Sequence, residues 1–150
     1  MKHIKTFLAL LCTAVLALVA LLAACGDSGA GGATVQESGE KLLVIRATET
    51  EGSLADALAA LKEAGELTYE GTQTEYGLSL TAINGYTADA AQHEYWAQYT
   101  SLSAAGGVTY SSTEYGSYTY EGQELGYSSY GPSGMPLVKG EIYVFVIETW

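Results

Sequence analysis

Hydrophobic and polar positions follow three different rhythms along this chain. From Phe7 to Ala24 the sequence is nearly unbroken apolar, after a short basic start at Lys2 and Lys5. Residues 26–40, GDSGAGGATVQESGE, then lose all periodicity and carry five glycines and two serines. That composition predicts a flexible spacer, roughly 20 Å from end to end by the scaling for Gly-rich chains. Leu42-Leu43-Val44-Ile45 is a continuous apolar run with β-branched content, which predicts a strand covered on both faces. A helical rhythm follows. Ser53 is a good N-cap with Asp56 three residues on, and Leu54, Ala57, Leu58 and Leu61 make one apolar stripe. Lys62 falls in the last turn and Gly65 supplies the stop.

Beyond the helix the period shortens to two. Leu67–Tyr69, Gly77–Ile83, Glu94–Leu102, Ser117–Tyr120 and Glu141–Thr149 are predicted strands, and Asn84-Gly85 has the residues of a tight turn. Within Glu94–Leu102, Tyr95, Ala97 and Tyr99 share one face while Trp96, Gln98 and Thr100 share the other. Ile142–Ile147 is apolar on both faces and is expected at the centre of the sheet. One helix with several strands, and an apolar strand at each end, predicts an α+β domain in which a single helix packs on a mixed sheet. The string Thr68-Tyr69-Glu70-Gly71 recurs as Thr119-Tyr120-Glu121-Gly122, which reads as strand-end turns rather than a repeat architecture.

The N-terminal rhythm predicts an address. A basic start, an apolar stretch and the ending Leu22-Ala23-Ala24-Cys25 match a secretory signal peptide and resemble the lipobox of bacterial lipoproteins. On that resemblance residues 1–24 are cleaved, the Cys25 thiol carries the lipid, residues 25–40 form the tether, and residues 41–150 form the folded domain. The expected location is the extracytoplasmic face of the cell membrane. An uncleaved anchor is the competing reading, since 18 apolar positions reach the lower limit for a spanning helix. Both readings put the domain outside the cytoplasm.

Composition narrows the partners. The 150 residues carry 17 acidic against 6 basic side chains, a net charge of −11. Two of the lysines leave with the signal, and Lys41, Arg46, Lys62 and Lys139 remain. A surface this acidic argues against nucleic acid, whose phosphates need Lys and Arg to replace counterions. Cys12 is also lost, so Cys25 is the one remaining thiol and no disulfide is expected. His93 is the single histidine after cleavage, too few for a zinc site, and no nucleophile elbow or phosphate-cradling loop occurs. The acids are dispersed and lack a calcium-loop spacing. No enzyme activity, metal or cofactor is therefore expected.

The order of the helix SLADALAALKEAG, then GLSLTAINGY, EYWAQY and VKGEIYVFVIET resembles the transcobalamin-type C-terminal domain, catalogued as a domain of unknown function, number 4430, and found in bacterial surface lipoproteins. Its most specific parts here are Ile83-Asn84-Gly85, Tyr95-Trp96 and Gly140-Glu141. The resemblance spans roughly Lys41 to Trp150. It implies a fold similar to the soluble-ligand-binding β-grasp group, and a small-molecule ligand such as a cobalamin-like corrinoid.

Tyrosines supply the candidate site. Twelve occur in the chain, and Tyr110, Tyr115, Tyr118, Tyr120, Tyr127 and Tyr130 fall in one Gly- and Ser-rich stretch. Rigid amphipathic rings among adaptable hydroxyls are the chemistry of binding surfaces. With Tyr95, Trp96 and Tyr99 they form the expected contact surface for a small molecule or a glycan. The competing reading is that tyrosine, a strong strand former, sits half-buried on the sheet with its hydroxyl wet. In function, the expectation is a lipid-anchored, non-enzymatic binding module; the alternative is a structural or protein-interaction domain of a cell-envelope complex, pairing through an open strand edge.

Overall fold

In the computed structural model, which describes residues 29–150, the chain enters as a hairpin. Ala33–Ser38 (β1) pairs antiparallel with Leu42–Ala47 (β2), with one register shift between Val35 and Glu37. This corrects the flexible tether over residues 33–40. The physical reason is that the interior strand β2 needs a hydrogen-bonding partner on its outer edge, and the Ala33-Thr34-Val35 stretch can supply it while burying Ala33 completely. The glycines before it serve contact rather than freedom. At Gly31 a Cβ would stand 2.5 Å from Ala60 Cβ, so only glycine lets this turn lie against the helix. Ordered structure thus reaches back to the Ala30–Gly32 turn. The signal peptide, the lipobox and Cys25 lie outside the described residues.

The helix, α1 (Leu54–Glu63), starts where the sequence places it. Ser53 Oγ accepts from Asp56 N–H at 3.2 Å, and Asp56 Oδ2 accepts from Ser53 N–H at 3.1 Å, a complete capping box. Leu54, Ala57, Leu58 and Leu61 are its buried stripe. Three short strands follow as a meander: Tyr69–Thr74 (β3), Gly77–Ile83 (β4) and Tyr86–Thr87 (β5). Asn84 and Gly85 turn β4 into β5 with φ of 47° and 83°, as their residue types predict.

The remaining strands are Glu94–Thr100 (β6), Ala104–Ala105 (β7), Val108–Thr109 (β8), Ser111–Tyr120 (β9), Gln123–Ser128 (β10) and Ile142–Thr149 (β11). The main sheet has the order β1-β2-β11-β6-β10-β9, so β11 is interior as its two apolar faces predict. Every pairing in it is antiparallel. The mixed sheet of the sequence reading is corrected here: β2 arrives from its own hairpin with β1, and β11 runs opposite to it. Strand β10, which contains Gly126, is not among the strands the pattern predicts, and Leu67, expected in a strand, is instead a buried loop residue of the core.

The sheet has two cores. On one face α1 covers Leu43, Ile45, Tyr143 and Phe145. The other face presents Val44, Ala97, Tyr99, Ile142 and Val144, and no helix reaches it. The β9–β10 hairpin covers it instead. Ser112 and Ser117 pair with adjacent residues of β10, Tyr127 and Gly126, so Thr113–Gly116 bulge out and bend the hairpin. Its far end crosses back over the sheet: Tyr118 packs its ring 5.8 Å from that of Tyr99, Leu125 is fully buried, and Glu121 at the tip lies 3.8 Å from Arg46 on β2.

Candidate functional site

The two faces treat their aromatic residues differently. On the hairpin-covered face, Tyr95, Tyr99, Tyr118, Tyr120 and Tyr127 pack into the second core. Tyr99 is only 3 % exposed, and its ring meets Tyr127 edge-on at 5.4 Å. Glu148 on β11 closes this cluster, accepting from Tyr99 Oη at 2.7 Å and from Tyr95 Oη at 3.1 Å. Burial, reinforced by the neighbouring carboxylate, pushes the Tyr95 phenol up to about 12 and the Tyr99 phenol upward as well. Both therefore stay protonated donors. Tyr95 and Tyr99 are thus walls of a core with their hydroxyls already engaged, while Tyr118, Tyr120 and Tyr127 pack half-buried against that core.

The other face carries an opening. A groove of about 800 Å³ lies between the β3–β4 hairpin, β6 and the loop 129–132. Its volume falls in the range of roughly 300–1,000 Å³ that ligand sites occupy. Trp96 and Gln98 face it from β6, Phe145 from β11, and Leu78 and Leu80 from β4. Alternation on β6 is what delivers Trp96 and Gln98 to this side while Tyr95 and Tyr99 go to the other. Tyr130 stands at the rim, 45 % exposed, and Tyr76 in the β3–β4 turn is 86 % exposed.

The groove is held by cross-links from several elements. Gln98 Nε2 donates to Tyr130 O at 3.2 Å, and Leu78 N–H donates to Ser133 Oγ at 2.9 Å. Tyr110 packs against Tyr130 with ring centres 5.6 Å apart. Behind Trp96 stands Tyr86, edge-on at 6.3 Å, whose hydroxyl donates to Glu94 at 2.7 Å. Lys41 also donates to Glu94 at 2.7 Å, and these partners hold the Glu94 carboxyl down at about 2.

Two buried polar atoms on residues that line this groove have no hydrogen-bond partner: the indole Nε1 of Trp96 and the hydroxyl of Ser128. Ser128 is 8 % exposed and sits beside Gln98 on the groove side of β10. A buried donor left unsatisfied costs about 1–3 kcal/mol, and a water, an ion or a ligand can complete its bonding. The sequence does not single out Ser128, Gln98, Tyr76 or Glu94 as site residues. Only long-range pairing brings them together, with the buried-polar character of Gln98 and Ser128 as the signal.

Of the expected contact residues, Trp96 and Tyr130 bring their rings to the groove, Tyr110 supports Tyr130, and Tyr127 borders it while its ring packs on the far side against Tyr99. Tyr115 stands apart on β9, 78 % exposed. Among the described residues no three His, Cys, Asp or Glu side chains gather to hold a metal ion. His93 is exposed and caps the Ala90–Gln92 turn with φ 59°. No family model matches the chain, and no curated protein matches it either.

Proposed function

We propose that this protein is a non-enzymatic binding module, anchored to the extracytoplasmic face of a membrane by a lipid on Cys25, whose helix-side groove takes a small molecule or a glycan. The observation that carries the binding assignment is a preformed groove rimmed by aromatic rings, two of whose lining residues hold unsatisfied polar atoms, Trp96 Nε1 and Ser128 Oγ. The transcobalamin-like resemblance supports the same reading and adds a corrinoid to the ligands worth testing. Its β-grasp comparison rests on one helix laid across one face of a sheet, in which β2 and β11 pair antiparallel. Two acyl chains give stable anchoring where one does not.

The test is fluorescence titration of the groove tryptophan with cyanocobalamin and with oligosaccharides, alongside incorporation of labelled palmitate into wild type and Cys25→Ser. Saturable quenching and Cys25-dependent labelling are expected. A flat titration with every compound overturns the binding assignment, and labelling retained in Cys25→Ser overturns the anchor. A second reading, a protein-interaction domain, rests on β3: it is the outer strand of its sheet and Glu70–Thr74 are all exposed, leaving an edge open to β-pairing. Stoichiometric co-purification of a membrane protein, lost when Gln73 is replaced by proline, favours it.

A further inference from the structure

The chemistry of the groove narrows its ligand, and the narrowing rests on the reading of the groove as a binding site. Among the described residues that line it there is no Lys, Arg or His, and the one carboxylate is Glu75. Phosphate or carboxylate ligands are normally met by guanidinium or ammonium groups, so an anion would enter this groove unpaired and beside a like charge. A purely apolar ligand would leave Trp96 Nε1 and Ser128 Oγ as unsatisfied as they are now. An anionic or a purely apolar ligand is therefore disfavoured, and the lining of Gln98, Ser128, Ser129 and aromatic rings suits hydroxyls or carbonyls spaced between apolar surfaces.

We infer that the groove binds a neutral oligosaccharide. A pyranose ring has an apolar face of C–H groups and an equatorial rim of hydroxyls that both donate and accept. Trp96 Nε1 only donates, so it meets a sugar oxygen, while the Ser128 hydroxyl can do either. Tyr130 and Tyr76 supply flat faces at two separate points of the rim, which suits consecutive sugar units of a chain rather than one isolated ring. Tyr130 is pre-set for this by its carbonyl bond to Gln98 and its contact with Tyr110, so little side-chain freedom is lost on binding. A glycan is also what a module at the extracytoplasmic surface meets in its surroundings.

The experiment uses the full-length chain in a non-glycosidic detergent, with calorimetric titration of cellohexaose, maltohexaose, laminarihexaose and chitohexaose. Hexagalacturonic acid, cyanocobalamin and an uncharged random-coil peptide are run beside them. Saturable binding of a neutral hexaose is expected, weakened about tenfold by Ser128→Val and by Trp96→Phe. Tyr76→Ala, at an exposed position that leaves the fold untouched, is expected to weaken the hexaose more than the corresponding disaccharide. Binding of a neutral hexaose that none of the three variants alters overturns the assignment to this groove. Binding of only the acidic sugar, the peptide or cyanocobalamin overturns the neutral-glycan inference while leaving the binding-module reading intact; silence from every compound overturns both.

Discussion

The two faces of the central sheet are built from similar residues and end in opposite states. The hairpin-covered face gathers five tyrosines, and the two that stand on β6 have their hydroxyls answered by one carboxylate, Glu148. The helix-covered face carries a core of aliphatic side chains with Tyr143 and Phe145, beside a groove whose lining residues Trp96 and Ser128 hold an indole N–H and a hydroxyl with no partner. Residue type does not separate a structural aromatic from a binding one. What separates them is whether the polar end is already satisfied and whether another element lies on top.

The largest test of this contrast is a pair of core truncations. Leu58→Ala on the helix and Leu125→Ala under the hairpin should each cost about 2–5 kcal/mol in urea unfolding, because both side chains are fully buried. A negligible loss for Leu125→Ala would break the claim that the hairpin seals a true second core. Next comes Tyr99→Phe, which removes one of the two donors that Glu148 accepts from and should cost about 1–2 kcal/mol. The same change should leave glycan affinity unaltered.

The sequence foretold those parts whose cause is local. Ser53 with Asp56 fixed where α1 begins, Asn84-Gly85 fixed a turn, and the alternation in Glu94–Thr100 sorted Trp96 from Tyr95 and Tyr99. It failed where the cause is distant. Ala33–Ser38 looked like linker because its flanking glycines suggest freedom, yet Gly31 is there to meet Ala60. The bend at Thr113–Gly116 that sends Tyr118 and Tyr120 over the sheet is visible only in the pairing of β9 with β10. For the same reason the tyrosines of residues 110–130 read as one cluster in the sequence and divide between two faces in the fold.

Ionisation sharpens the comparison with smaller effects. Burial raises the folded Tyr95 phenol from its usual 10.0 to about 12, so its contribution to stability is present below pH 10 and is lost as the pH rises towards 12. Alkaline unfolding followed by tyrosinate absorbance should show this loss, and Tyr95→Phe should reduce it. Glu94, beside the groove, behaves in the opposite sense. Its hydrogen bonds with Lys41 and Tyr86 lower it from 4.5 to about 2, so the stability it contributes is complete above pH 4.5 and disappears as the pH falls towards 2. Glu94→Gln should flatten that acid arm. The smallest effect belongs to Tyr115→Ala, which should change stability by less than about 0.5 kcal/mol and binding not at all.

The most direct test of the difference between the faces is residue-by-residue mapping of ligand contact by nuclear magnetic resonance. During titration with the tightest-binding hexaose, the Trp96 indole N–H and the backbone amides of Ser128, Ser129 and Tyr130 should shift, while Tyr99, Tyr118 and Tyr120 stay unmoved. Shifts centred on Tyr99, Tyr118 and Tyr120, with the Trp96 indole signal unchanged, would contradict the assignment of the groove as the open site and the tyrosine face as the sealed one.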